Sequence, residues 1–237
     1  SEMFIRCRHT PDTNRLTLLT MLQDIQEGFR YIVNQKILLT IMVASLFANF
    51  FFTPISTSLS YFVDMFVKPQ DYLFRAYLAP EYWVSIMSIS LGIGSILTAL
   101  ILGNRRQTEI FHRPILTGFC GLTGLLILLT VCFFLLANTA INVLLILMTV
   151  AVFGIGVCLI LVNIPVNTYT LKTVDPDKIA KVSALSAVGS MGLTPIASFL
   201  GGVLISKFGY GSIPVMSSVG FLTITVVLLS NRHVRSI

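Results

Sequence analysis

"SLGIGSILTALILGNRRQ", Ser90 to Gln107, decides how the rest of the chain is read. It holds no charge before Arg105, is dotted with Gly, Ser and Ala, and stops on two adjacent arginines. Gly92 and Gly94 have the spacing that opens a dinucleotide-binding fingerprint. That fingerprint also needs a third glycine three positions on and an acid about twenty residues further. The third position here is Leu97, and the next acid is Glu109. A membrane span closed by a pair of cytoplasmic anchors, Arg105 and Arg106, fits the stretch instead.

Composition agrees. The 237 residues are 55% hydrophobic and 11% charged, with a mean hydropathy of +0.87. Soluble domains carry about 25% charged residues. The apolar residues fall in long blocks rather than in short alternating or helical patterns. A helix needs about twenty apolar residues to cross a hydrocarbon core of about 30 Å. Six stretches qualify and contain no Asp, Glu, Lys, Arg or His: Ile37 to Val63, Tyr82 to Leu102, Pro114 to Leu136, Ile141 to Leu171, Val182 to Ser206 and Gly211 to Ser230. The reading is an all-α integral membrane protein. Residues 1–36 form a cytoplasmic linker with an amphipathic helix, 37–230 a six-span domain, and 231–237 a cytoplasmic tail.

Lys and Arg are retained on the cytoplasmic side. With six spans, thirteen of the sixteen basic residues share the side that holds both termini; only Lys68, Arg75 and Lys207 lie opposite. Adding or removing one span would scramble that division, so the sequence predicts a multi-pass protein of the cell membrane with both termini cytoplasmic. The same distribution accounts for the net charge of +6 by retention and contact with anionic lipid. The cations are scattered, with no basic, aromatic-interleaved domain, so no nucleic acid is expected as a partner.

Site chemistry of other kinds is not written here. Cys7, Cys120, Cys132 and Cys158 have neither zinc nor redox spacing. His9, His112 and His233 are too scattered to ligate a metal. No nucleophile–base pair or intramembrane charge points to an enzyme. No metal or cofactor is expected. There is no apolar signal region in the first 36 residues, and the chain opens on Ser1, as a processed, tagged or excised piece would. Within the leading segment, Leu18, Leu22, Ile25, Phe29 and Ile32 share one helical face. That face can lie on the membrane surface or pack on the bundle or a neighbouring domain.

The spans differ in kind. The first and fourth carry polar residues and a proline each: Asn49, Thr53 and Pro54 in one, Asn163, Pro165, Asn167 and Thr168 in the other. Polar groups against lipid are costly, so these are expected to face the bundle interior or a watery cavity. Pro54 and Pro165, with Pro195 in the fifth span, are bend candidates. The second and fifth spans are rich in small residues, Gly92 and Gly94 in one and Gly189, Gly192, Gly201 and Gly202 in the other, which permit close helix packing. The third and sixth read as lipid-facing. The order polar, small, greasy occurs twice. Two such triplets must cross the membrane in opposite senses, the inverted-repeat arrangement of one transporter class.

Three stretches resemble a known family. "DIQEGFRYIVNQKIL", Asp24 to Leu38, "DPDKIAKVSAL", Asp175 to Leu185, and "LTPIASFLGGVLISKFG", Leu193 to Gly209, are similar to segments of the drug-efflux branch of the major facilitator superfamily, especially macrolide-exporter-like permeases. The resemblance covers nearly the whole chain and is to the C-terminal six spans of a twelve-span fold. Ala180-Lys181-Val182 stands where the family often has Gly-Arg-Val. Of the signature loop after the second span, only Gly103, Arg105 and Arg106 remain, without its acid.

The resemblance implies a secondary transporter that exports small hydrophobic drugs by alternating access, working with an N-terminal six-span half or a second copy. It implies proton antiport, yet no span carries a carboxylate or histidine to hold a proton, so coupling is expected in the other half. Asn49, Asn163 and Asn167 are the candidate polar cavity groups and Phe50 an apolar contact. Interhelical hydrogen bonding by the asparagines and ordinary packing by Phe50 are the competing roles. A non-transporting six-helix scaffold or assembly subunit is the alternative function.

Overall fold

The computed structural model describes residues 18–68, 72, 75–104 and 111–230, with side chains from Ile25 onward. The linker 1–17, the anchors Arg105 and Arg106, the tail 231–237 and the side chains of Leu18 and Leu22 lie outside the described residues. Among the described residues, eight α-helices follow one another: α1 (Leu18–Asn34), α2 (Lys36–Phe62), α3 (Tyr82–Gly103), α4 (His112–Leu136), α5 (Ile141–Thr173), α6 (Ile179–Met191), α7 (Thr194–Phe208) and α8 (Ser212–Ser230). A π-helical turn, Val63–Val67, extends α2, and a 3-10 turn, Pro176–Lys178, precedes α6. There is no strand among the described residues.

Among the described residues, six stretches are long and apolar enough to cross a membrane: Lys36–Val67, Tyr82–Gly103, His112–Leu136, Ile141–Thr173, Pro176–Phe208 and Ser212–Ser230. By length and composition the chain is a multi-pass membrane protein. Its outward faces carry large apolar side chains such as Leu100, Phe134, Val150 and Phe199, which the hydrocarbon layer can solvate.

The fifth of these stretches is not one helix. Gly192 and Leu193 interrupt it between α6 and α7. Pro195, in the first turn of α7, has no N–H to donate to the Met191 carbonyl, so the ladder restarts there, with Ala197 N donating to Leu193 O. By contrast, α2 and α5 run unbroken through Pro54 and Pro165. Pro54 is buried, and a Cβ on Gly201 would stand 3.0 Å from its Cβ.

Contacts cross between the halves of the chain. α5 packs mainly on α3 and α4, while α2 packs on α6, α7 and α8; α4 and α8 also meet. Each of the two polar, proline-containing spans is thus held by the other two spans of the opposite triplet. The third and sixth spans differ from their lipid-facing reading. Thr123 Oγ1 lies 2.8 Å from Thr225 Oγ1, and Thr130 Oγ1 lies 2.7 Å from Ser218 Oγ. Leu122, Leu126, Phe221 and Leu228 are buried along the same seam. An uncharged face that looks uniformly greasy in sequence hides its hydroxyls by bonding them to a neighbour.

At the end of the bundle remote from α1, Phe62, Phe66, Phe133 and Tyr210 form an aromatic cluster with centroids 5.2–6.3 Å apart. Tyr210 sits in the turn between α7 and α8. Burial pushes its phenol up to about 12, against a smaller lowering by a hydrogen bond with Ser58. Unfolded tyrosine titrates near 10. The folded state therefore holds this proton more tightly, and the stability it contributes is whole below about pH 10 and is lost as pH rises through about 12. Alkaline titration of phenolate absorbance should show that Tyr210→Phe removes a tyrosine ionising near pH 12, and the variant should lose less stability over that window.

α1 docks by one edge. Ile32 is buried with Leu38, Val174 and Val182, Glu27 Oε2 accepts from Lys181 Nζ at 2.9 Å, and a Cβ on Gly28 would stand 3.6 Å from the Lys181 Cβ. Ile25 and Phe29 remain exposed. The predicted apolar face is therefore divided between bundle and surroundings. Ile32→Ala should cost about 2 kcal/mol or more, and Phe29→Ala within about 0.5 kcal/mol. Faster hydrogen exchange of α1 amides in the first variant alone would check this.

Candidate functional site: a polar cavity between three helices

Each of α2, α5 and α6 turns one stripe toward a common cavity of about 350 Å³. On α2 the stripe runs Leu38, Ile41, Met42, Ser45 and Asn49; on α5, Asn163, Val166, Asn167 and Thr170; on α6, Ser183, Ser186, Ala187, Ser190 and Met191. The steps of three and four keep each set on one helical face. The structure therefore brings Asn49, Asn163 and Asn167 together, although 114 positions separate the first two in the chain.

Their environments differ. Asn49 Nδ2 donates to the Ser190 carbonyl at 3.1 Å, tying α2 to α6. Asn163 and Asn167 are exposed, one turn apart, and their amides form no hydrogen bond with any described residue. Each keeps two donors and an acceptor free for water or a solute. Thr170 and Ser190 turn their hydroxyls back to the carbonyls of Val166 and Ala187. Among the described residues, no Asp, Glu, Lys, Arg or His lines the cavity, so it presents neutral hydrogen-bonding groups on an apolar wall.

Ser45, Asn49 and Asn163 also border a smaller pocket of about 90 Å³, closed inward by Phe52, Phe119, Leu159 and Phe221. They form the partition between cavity and bundle interior. Lys36, Lys172 and Lys181 lie two residues beyond Leu38, Thr170 and Ser183, placing cations near the α1 end. Lys172 Nζ stands 5.2 Å from the Phe111 ring centroid.

Phe50 does not line the cavity; its ring meets Phe51 edge-on at 5.1 Å. Position 50 follows Asn49 by one, about 100° around a helix from it, and so points away. Sequence reasoning passed over the α6 serines. Ser183, Ser186 and Ser190 recur at helical spacing, but beside Gly189 and Gly192 they read as packing residues.

The glycines also divide. α3 and α5 cross so closely that a Cβ on Gly94 would overlap the Phe153 carbonyl and one on Gly156 the Leu91 carbonyl. Ser90 Oγ donates to Thr149 O across the same crossing at 2.9 Å. Gly189 faces the Met42 sulfur at 3.2 Å. Close packing does not hold at Gly92 or Gly202, where nothing lies within 4 Å, and Gly192 meets only carbonyls of its own preceding turn. These three sit on outward or terminal positions, whereas Gly118, Gly121 and Gly220 are contact glycines that the repeat pattern did not single out. No family of known proteins, no curated protein and no solved structure matches this chain, so its function has to be argued from the cavity itself.

Proposed function

We propose that the chain is one six-span half of a secondary transporter of the major facilitator type, exporting small, largely apolar molecules by alternating access. The observation that carries the reading is the convergence of Asn49, Asn163 and Asn167 on one uncharged cavity. Polar side chains facing lipid are costly, so such a wall has reason to exist where water or a solute meets it. The crossed packing of α2 on α6, α7 and α8, and of α5 on α3 and α4, supports two inverted triplets. α7 exposes much of its length, and in this reading it meets the complementary half, supplied by an N-terminal six-span unit or a second copy. The broken span α6–α7 fits the discontinuous helices that border transporter sites.

Among the described residues that line it, the cavity has no titratable group, and this reading therefore assigns proton coupling to the complementary half. Both termini are taken as cytoplasmic. The test is uptake of a labelled hydrophobic drug into inverted vesicles containing the whole transporter. Accumulation driven by a pH gradient is expected; none, with the protein verified as present and folded, would count against the reading.

A further inference from the structure

We infer that the crevice between α2 and α8 is a binding site for one acyl chain of an anionic phospholipid, taken from the leaflet at the α1 end. The crevice is separate from the asparagine cavity and encloses about 530 Å³, lined from Leu39 to Phe51 on α2 and from Gly220 to Leu228 on α8. The inference requires only that these helices span a bilayer and is independent of solute transport.

Three features select the occupant. The first is chemistry: the two polar side chains in the lining, Thr40 and Thr223, give their hydroxyls to the carbonyls of Lys36 and Val219 one turn back. No polar group is left to recognise a polar ligand.

The second feature is length. The twelve helical steps from Leu39 to Phe51 rise about 18 Å, close to the roughly 15 Å depth of one leaflet's hydrocarbon. The inner end is shut where Gly220 meets the Phe51 ring so closely that a Cβ would overlap it, and where Ser217 Oγ donates to the Phe51 carbonyl at 2.6 Å. The floor is buried: Leu228 is only 2% exposed. A chain entering from the α1 end would thus stop near the bilayer midplane.

The third is charge. Lys36, exposed and without an ion pair to any described residue, stands one turn before Thr40 at the open end, placed for a lipid phosphate. The corresponding seam between α4 and α5 is closed by contrast. Gly118 and Gly121 admit Val162 and Cys158 to within 2.6 Å of a built Cβ. The α2–α8 seam is therefore open where the corresponding α4–α5 seam is closed.

The test uses the purified chain in phosphatidylcholine bilayers doped with a phosphatidylglycerol carrying a diazirine on its acyl chain, with labelled peptides mapped by mass spectrometry. Label should concentrate on residues 39–51 and 220–228 relative to the lipid-exposed face of α3 around Leu100. Thr223→Trp, or Val43→Trp from the opposite wall, should cut labelling of those two segments about tenfold while α3 labelling, helical content and gel-filtration profile stay the same. If either substitution prevents folding, the other carries the test. Lys36→Gln should abolish the preference for this probe over a phosphatidylcholine bearing the same diazirine. Equal labelling of α3 and the crevice, or labelling unmoved by a folded tryptophan variant, would overturn the inference.

Discussion

Gly94→Leu and Gly156→Leu should each yield a chain that inserts but does not assemble, with loss of the cooperative thermal transition in detergent. At both positions the first side-chain carbon would occupy the space of a carbonyl on the partner helix, Phe153 O in one case and Leu91 O in the other. Backbone cannot swing aside as a flexible side chain can. The helices must separate, stretching the hydrogen bonds from Ser90 to Thr149 and from Ser95 Oγ to Gly156 O at 3.3 Å. Overpacking costs about 1–3 kcal/mol per site, and here lost helix packing is added. Even alanine should be strongly destabilising at either position. The double substitution should cost less than the sum, because both act on one crossing. Gly92→Ala is the control. Nothing lies within 4 Å of its built Cβ, and alanine is the better helix former by up to about 1 kcal/mol.

Asn163→Leu and Asn167→Leu should lower kcat/KM for the transported solute by up to about tenfold, the effect of removing a hydrogen bond worth about 0.5–1.5 kcal/mol where water competes for the amide. Their thermal stability should hardly move, since neither amide bonds to a described residue. Asn49→Leu should behave otherwise. It breaks the bond to the Ser190 carbonyl, and should reduce stability by about 1 kcal/mol as well as transport. Transport assays paired with melting curves separate the two roles: equal melting shifts at all three positions would make the asparagines structural ties and remove the cavity's claim to be a solute site.

The spans were legible because the bilayer imposes a length and a polarity that composition alone can satisfy. Ile37 to Val63 and Tyr82 to Leu102 match α2 and α3 within a few residues. The asparagines were legible for the same reason, being polar groups in apolar runs. What sequence could not supply was direction around each helix. Phe50, expected as an apolar contact, is one step along the helix from Asn49, and that step turns it out of the cavity. Gly92 and Gly94 look alike on paper, yet two positions around α3 separate open space from a carbonyl. The serines of α6 and the hydroxyl seam of α4 and α8 were hidden because Ser and Thr serve equally as packing, bonding and lining groups. Only the neighbour decides among these uses.

The central claim, that the stripe through Asn163, Asn167 and Ser186 borders a watery solute path, is tested most directly by thiol accessibility in the assembled protein. With Cys7, Cys120, Cys132 and Cys158 replaced by alanine, single cysteines at these three positions and at the outward-facing Leu100 and Val131 are challenged in membranes with a membrane-impermeant maleimide. Asn163→Cys, Asn167→Cys and Ser186→Cys should react and be protected by solute, while Leu100→Cys and Val131→Cys stay unlabelled. Cavity cysteines as inert as the outward pair would contradict the account.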